Sequence, residues 1–332
     1  MVFLGAIAKW LLPSFAVLYG MYHWHFISSR RYCTSNAELN GNTVIVTGAN
    51  SGIGKVTAMD LARRGARVIL ACRNLRKAED VAKDIKSSTG NSEVVVRHLD
   101  LSSLQSVREF AQQFIETEDR LDILINNAGV AAVKMGSVTE DNFDFVFGTN
   151  HFGHFLLTNL LLDLLKKSAL KRVVTVSSTF HGLSSRLNMT REDPSVASIL
   201  YPHLNNYLSS KLSNVLFARE LARQEAASGL TSISLHPGTI YTPIWQTNSA
   251  NLYPIFGAFV YRALSPIMWL FFIDETAGAQ TTLHCALDES VAELSGKYFD
   301  NSAEYEPWSF AQDDELAKKL WAVSCEATGL KC

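Results

Sequence analysis

The sequence predicts an α/β domain built on a doubly wound parallel sheet (a Rossmann-type fold), and three observations predict it. Six short apolar runs rich in β-branched residues recur along the chain, helical stretches separate them, and the first run passes straight into a glycine-rich turn followed by a helix. Short continuous apolar runs read as strands buried on both faces, and their alternation with helices places them in a parallel sheet with helices on either side.

The strands are expected at TVIVT (43–47), RVILA (67–71), VVVRHL (94–99), ILIN (123–126), RVVTV (172–176) and TSISL (231–235). VTAMDLARRG supplies the helix after the first of them. Ser102 and Gln105 have the spacing of a capping box ahead of SVREFAQQF. YLSSKLSNVLFARELA reads as a helix that opens on Tyr207, and DDELAKKLWAVSCEATG as an amphipathic closing helix. No internal repeat or low-complexity tract interrupts the pattern.

The chain has 332 residues, 47% of them hydrophobic, with 30 basic against 32 acidic side chains. That balance excludes disorder and any extensive nucleic-acid-binding surface. Cys33, Cys72, Cys285, Cys325 and Cys332 are odd in number and form no CxxC pair, which points to a reducing compartment for the folded part and argues against a zinc site built from them.

The amino end differs in kind. Residues 10–28 carry no formal charge, Lys9 alone interrupts the apolar run upstream, and Arg30 and Arg31 follow at once. A stretch of that length spans a bilayer, and Tyr19, Tyr22 and Trp24 suit an interfacial belt. Residues 1–31 are therefore read as an uncleaved membrane anchor. The alternative is a cleaved signal peptide, although bulky aromatics occupy the cut position. Residues 32–42 follow as a polar linker, and 43–332 as the main domain. The arginine pair favours a cytosolic domain, and the sequon at Asn188 would be used only in a lumen.

TGANSGIG (47–54) sets glycines at 48, 52 and 54 between a strand and a helix. Glycine lets the backbone come close to a pyrophosphate, and the helix amino end offers free N–H groups to the anion, so a dinucleotide is expected here. Its type follows from the second strand. An NAD site places an acidic residue about 20 residues on, whereas an NADP site places arginine nearby. Residues 65–76 contain no Asp or Glu, and Arg73 lies 19 residues after Gly54. NADP(H) is the expected cofactor and Arg73 the ligand of its 2′-phosphate, the alternative being a solvated surface arginine. In YLSSK, Tyr207 and Lys211 stand four apart on one helix face. An ammonium beside a phenol favours the phenolate and should draw the tyrosine pKa down toward the range of an acid/base catalyst.

TGANSGIG, NNAG at 126–129, the serine pair closing VVTVSS, YxxxK and HPG at 236–238 occur in that order. Together they resemble the short-chain dehydrogenase/reductase family over residues 40–300, and more narrowly its membrane-bound retinol dehydrogenase group. The resemblance implies that Ser178 binds the substrate oxygen, Tyr207 exchanges its proton, Lys211 holds the nicotinamide ribose, and Asn150 anchors a relay water. Ser177 is the other candidate for the serine. The cofactor would lie on Gly48, Asn50, Ser51, Gly52, Ile53 and Gly54. It would continue past Arg73, Asp100, Leu101, Asn127, Gly129, Pro237 and Gly238 to Thr242 at the carboxamide. Asn127 could equally stabilise the sheet, and Asp100 could simply cap a helix.

Tyr207 lies 29 positions after Ser178, and the extra stretch is expected to wrap the substrate mouth. His181 within it reads as an ordinary loop histidine, with substrate contact as the alternative. Residues 251–273 are apolar but for Arg262, and read as a substrate lid within about 243–275 that dips into the bilayer. A second span is the alternative, made costly by the arginine. The implied activity is hydride transfer between NADP(H) and a lipophilic carbonyl or alcohol, retinal and retinol first, with a steroid, lipid aldehyde or polyprenol as alternatives. A scaffold without turnover would be expected to lack one of the four catalytic candidates. The expected location is the endoplasmic reticulum membrane, with a mitochondrial membrane or lipid droplet as alternatives. Oligomeric state, a homo-oligomer included, stays open.

Overall fold

The computed structural model describes residues 17, 19–21, 28–131, 136–184, 202–240 and 273–331. Strands β1 (Thr43–Thr47), β2 (Arg67–Cys72), β3 (Val94–His98), β4 (Ile123–Asn126), β5 (Arg172–Val176) and β6 (Thr231–His236) fall on the six apolar runs. Two more, β7 (Tyr298–Asp300) and β8 (Ala303–Tyr305), complete an eight-stranded sheet in the order β3-β2-β1-β4-β5-β6-β7-β8. Every pairing is parallel except β7 with β8.

Alternation along the strands sends side chains to two cores. Val44, Val46, Val68, Leu70, Ile123 and Ile125 pack against helices α1 (Gly52–Arg63), α2 (Leu75–Thr89) and α6 (Glu275–Leu287). Ile45, Ile69, Leu124 and Val173 pack on the other face, against α3 (Leu104–Thr117), α4 (Gly153–Lys166), α5 (Pro202–Gln224) and α7 (Asp314–Thr328). The chain leaves β1 toward the first face and β4 toward the second. The connections that leave these paired neighbours thus part to opposite faces and open a crevice at the switch point, where doubly wound sheets bind ligands.

Several local expectations need correction. The β7–β8 hairpin has three-residue arms, too short to show a period, and turns through Asn301 and Ser302 at φ 49° and 54°, as a two-residue primed turn requires. Helix α3 starts one residue later than the Ser102–Gln105 pattern predicts. Ser103 is the N-cap, accepting from the Ser106 N–H, while Gln105 reaches forward to Glu109. Helix α5 begins at Pro202, five residues ahead of Tyr207, with proline at the first helical position where its missing N–H costs nothing. Cys33, Cys72 and Cys285 are free, but Cys325 is disulfide-bonded, which weakens the case for a reducing compartment.

The stretch expected to be a polar linker lies against the body as a strap. Leu39 is 2% exposed, and Cys33 and Ala37 pack on the first core. The Cys33 N–H donates to Gln280, Ser35 to the Leu287 carbonyl, and Asn301 grips Ser29 and Arg31 on either side of Arg30. Deleting residues 1–42 should therefore cost about 3 kcal/mol or more beyond the effect of deleting 1–27, through loss of Leu39 and its neighbours. Chemical denaturation of the two truncations checks this. Most of the anchor, the sequon at Asn188 and the 243–272 part of the lid lie outside the described residues. Among the described residues no helix is long and apolar enough to cross a membrane.

Candidate active site

The crevice is a cleft of about 370 Å³. At one end β1 turns into α1 through Gly48, held at φ +66° with a Cβ position only 2.9 Å from the Ala128 backbone. A Cβ on Gly54 would fall 2.6 Å from the Gly48 carbonyl oxygen and 2.5 Å from the Asn127 amide. The loop therefore exists in this form only with glycine at both positions. Asn50, Ser51, Gly52 and Ile53 line the cleft beside them, and the first turn of α1 leaves its N–H groups directed at whatever occupies it.

The middle of the cleft brings together Arg73, Asp100, Leu101, Asn127 and Gly129. The Arg73 guanidinium, 60% exposed, stands 3.9 Å from Asp100. Asp100 accepts from both the backbone N–H and the hydroxyl of Ser102, so it braces the turn into α3 as well as lining the cleft. Asn127 likewise does two jobs: its amide donates to the Thr47 carbonyl at 2.8 Å, fastening β4 to the glycine loop, and it faces the cleft.

At the far end Ser178, Tyr207, Lys211, Pro237 and Gly238 meet. The two adjacent serines separate cleanly. Ser177 donates to the Lys211 carbonyl at 2.6 Å and ties β5 to α5, whereas the Ser178 hydroxyl bonds the Tyr207 oxygen. Lys211, 4% exposed, donates to the Val176 carbonyl at 3.1 Å and lies 5.7 Å from the centre of the Tyr207 ring. Burial pushes the Tyr207 phenol up to about 12, against the pull of Ser178, and pushes Lys211 down to about 8. The expected lowering of the tyrosine by the ammonium is thus overruled: removing both groups from water penalises both charges, and the phenol stays protonated.

Asn150 is fully buried in a π-helical turn, Gly148–Phe152, that leads into α4. Its side chain accepts from the Val130 N–H and donates to the Val130 carbonyl and to Ser210. His181 is neither loop surface nor aimed at the cleft. It is 2% exposed, bonds the Ser178 carbonyl at 2.7 Å, and fixes the turn that presents the serine. Thr242 lies outside the described residues. Sequence reasoning passed over Thr47 and His154, which join the glycine loop to Asn150. The signal for His154 was there: a polar side chain inside the apolar FGHFLLTNLLL, four residues after Asn150.

A dinucleotide fits these residues. Lys211 has three N–H donors, is almost wholly buried and has, among the described residues, one hydrogen-bond acceptor; the glycine loop leaves the room a pyrophosphate needs. Comparison with known proteins agrees. The short chain dehydrogenase family matches residues 42–189. The chain is 46% identical to retinol dehydrogenase 13 of Homo sapiens, an alignment covering 90% of this chain and 88% of that protein. It superposes on an uncharacterised protein of Mycobacterium paratuberculosis with a TM-score of 0.69 at 33% identity, covering 91% and 98% of the two chains. A Shigella flexneri short chain dehydrogenase solved with NADP gives 0.58 at 26% identity, covering 80% and 98%.

Proposed function

This chain belongs to the short-chain dehydrogenase/reductase family, and from that membership and the geometry of the cleft we propose an NADP(H)-dependent interconversion of a lipophilic carbonyl and its alcohol, retinal and retinol first among them. The observation that carries this reading is the meeting of Ser178, Tyr207 and Lys211 at one end of a cleft whose other end is a glycine loop. Similarity to a retinol dehydrogenase supports the choice of substrate. In the same reading residues 1–31 anchor the protein in the endoplasmic reticulum membrane, and 43–332 form the catalytic domain on the cytosolic side.

The bound cofactor supplies or takes up the hydride. Gly48, Asn50, Ser51, Gly52, Ile53 and Gly54 hold its diphosphate, Arg73 its 2′-phosphate, Asp100, Leu101, Asn127 and Gly129 its adenosine half and middle, and Lys211 the nicotinamide ribose. Pro237, Gly238 and Thr242 border the carboxamide. Ser178 donates a hydrogen bond to the substrate oxygen, where negative charge develops during reduction. Tyr207, protonated at neutral pH, gives that oxygen its proton. Asn150 keeps the segment after β4 and helix α5 at fixed separation.

The pH dependence follows with its sign. Raising the phenol to about 12 keeps it a donor through the neutral range, so reduction should not fall as pH rises from 6 to 8. Oxidation needs the phenolate and should rise with pH over the same interval. Initial rates in both directions check this, and an oxidation rate that falls with rising pH would remove Tyr207 from the role. The reading as a whole is tested by a steady-state screen of the detergent-solubilised enzyme with NADPH and NADH against retinal, steroid ketones and medium-chain aldehydes. Turnover of retinal with NADPH is expected; no turnover of any carbonyl overturns it.

A further inference from the structure

Thr47 ends β1 at the head of the glycine loop, and its hydroxyl oxygen receives the N–H groups of Asn127 and Ala128, both at 2.9 Å. Two donors fill the lone pairs of that oxygen, so its one proton must leave toward an acceptor. The better placed acceptor is His154 Nε2 at 2.9 Å, the Ile125 carbonyl lying at 3.4 Å. His154 Nε2 is therefore bare, the ring proton sits on Nδ1, and Nδ1 donates to the Asn150 carbonyl at 3.0 Å. The tautomer is fixed by the count of donors and acceptors. A second ring proton would point at an oxygen with no lone pair left, and burial independently drives the imidazole down to about 4.

The bonds continue in both directions. Asn150 holds Val130 and Ser210, the residues next to Gly129 and Lys211, and a Cβ on Gly129 would lie 3.4 Å from the Lys211 ammonium. The π-turn runs on i to i−5 bonds in place of the regular ladder, and the His154 ring, one turn on, bonds the Asn150 carbonyl within it. The charge of Lys211 is felt at that imidazole.

We propose that His154 is a positioning residue for Lys211: Thr47 fixes the tautomer of its ring, and through the Asn150 carbonyl the ring holds the turn that seats Val130 and Ser210 beside the lysine–tyrosine pair. This rests on the reading of Tyr207 and Lys211 given above. A histidine that only filled the core would affect stability and nothing else.

Two substitutions divide the bonds. His154→Asn places an amide N–H where Nδ1–H stands and keeps the Asn150 bond; His154→Gln reaches Thr47 and gives up Asn150; His154→Leu removes both. The leucine and glutamine variants should lose about tenfold or more in kcat, since small displacements in an oriented site are costly, while the asparagine variant stays within about threefold of wild type. The KM for NADPH should change little in the asparagine and glutamine variants. The titration of Lys211, followed by NMR and independent of turnover, should move in the glutamine variant and hold in the asparagine variant. Should His154→Leu fail to fold, the other pair still decides. Equal kcat and an unmoved Lys211 titration in both overturn the proposal. Wild-type enzyme that reduces no carbonyl is a different result, which sinks the reading of activity instead.

Discussion

Replacing Tyr207 by phenylalanine is expected to lower kcat by about 10²-fold or more in either direction, because proton transfer by a positioned side chain is worth at least that much. The ring packs identically in the two residues, and only the hydroxyl that bonds Ser178 is lost. NADPH affinity, read by quenching of protein fluorescence, should therefore stay near the wild-type value. The experiment separates chemistry from binding: a variant keeping more than a tenth of wild-type kcat would take the proton donor away from Tyr207. The rise of the oxidation rate with pH should vanish in the same variant, since the group that titrates has gone.

Arg73→Ala is expected to weaken NADPH binding by about tenfold and to leave NADH binding nearly unchanged. A hydrogen bond to a charged group contributes about 1.5–3 kcal/mol, and the exposure of Arg73 puts it at the lower end of that range. Only the 2′-phosphate distinguishes the cofactors. Removing the guanidinium also leaves the Asp100 carboxylate without the cation 3.9 Å away, which makes this part of the cleft less favourable for a further negative charge. Equal losses for the two cofactors would return Arg73 to a surface residue.

What the sequence revealed of the fold was its parallel part. The strands β1, β2, β4, β5 and β6 are buried along nearly their whole length and the edge strand β3 opens on three valines, so each carries a signal, and their bounds follow the runs within a residue or two. The β7–β8 hairpin was illegible because three residues cannot show alternation, and its turn uses Asn-Ser at positive φ where Asn-Gly would have announced it. The site was legible wherever chemistry dictates residue type. Gly48 and Gly54 are glycine for want of room, and Tyr207 and Lys211 share a face because helices repeat. Electrostatics was not legible. Spacing alone suggests that Lys211 lowers the Tyr207 pKa, yet desolvation raises it, and the depth of burial is a property of the fold. Nor could periodicity tell that Ser177 ties strand to helix while Ser178 faces the cleft, or that His181 holds the turn beneath it.

The strap also sets where the chain enters the body. Arg30 is gripped between residues that Asn301 binds, and its guanidinium lies 3.1 Å from the position a Gly238 Cβ would take, beside the rim of the cleft. Residues 28 and 30 are separated by two steps of chain, at most about 7 Å. An anchor preceding residue 28, as proposed above, would therefore join the body next to the cleft, and a hydrophobic alcohol leaving the lipid would have a short path to its mouth.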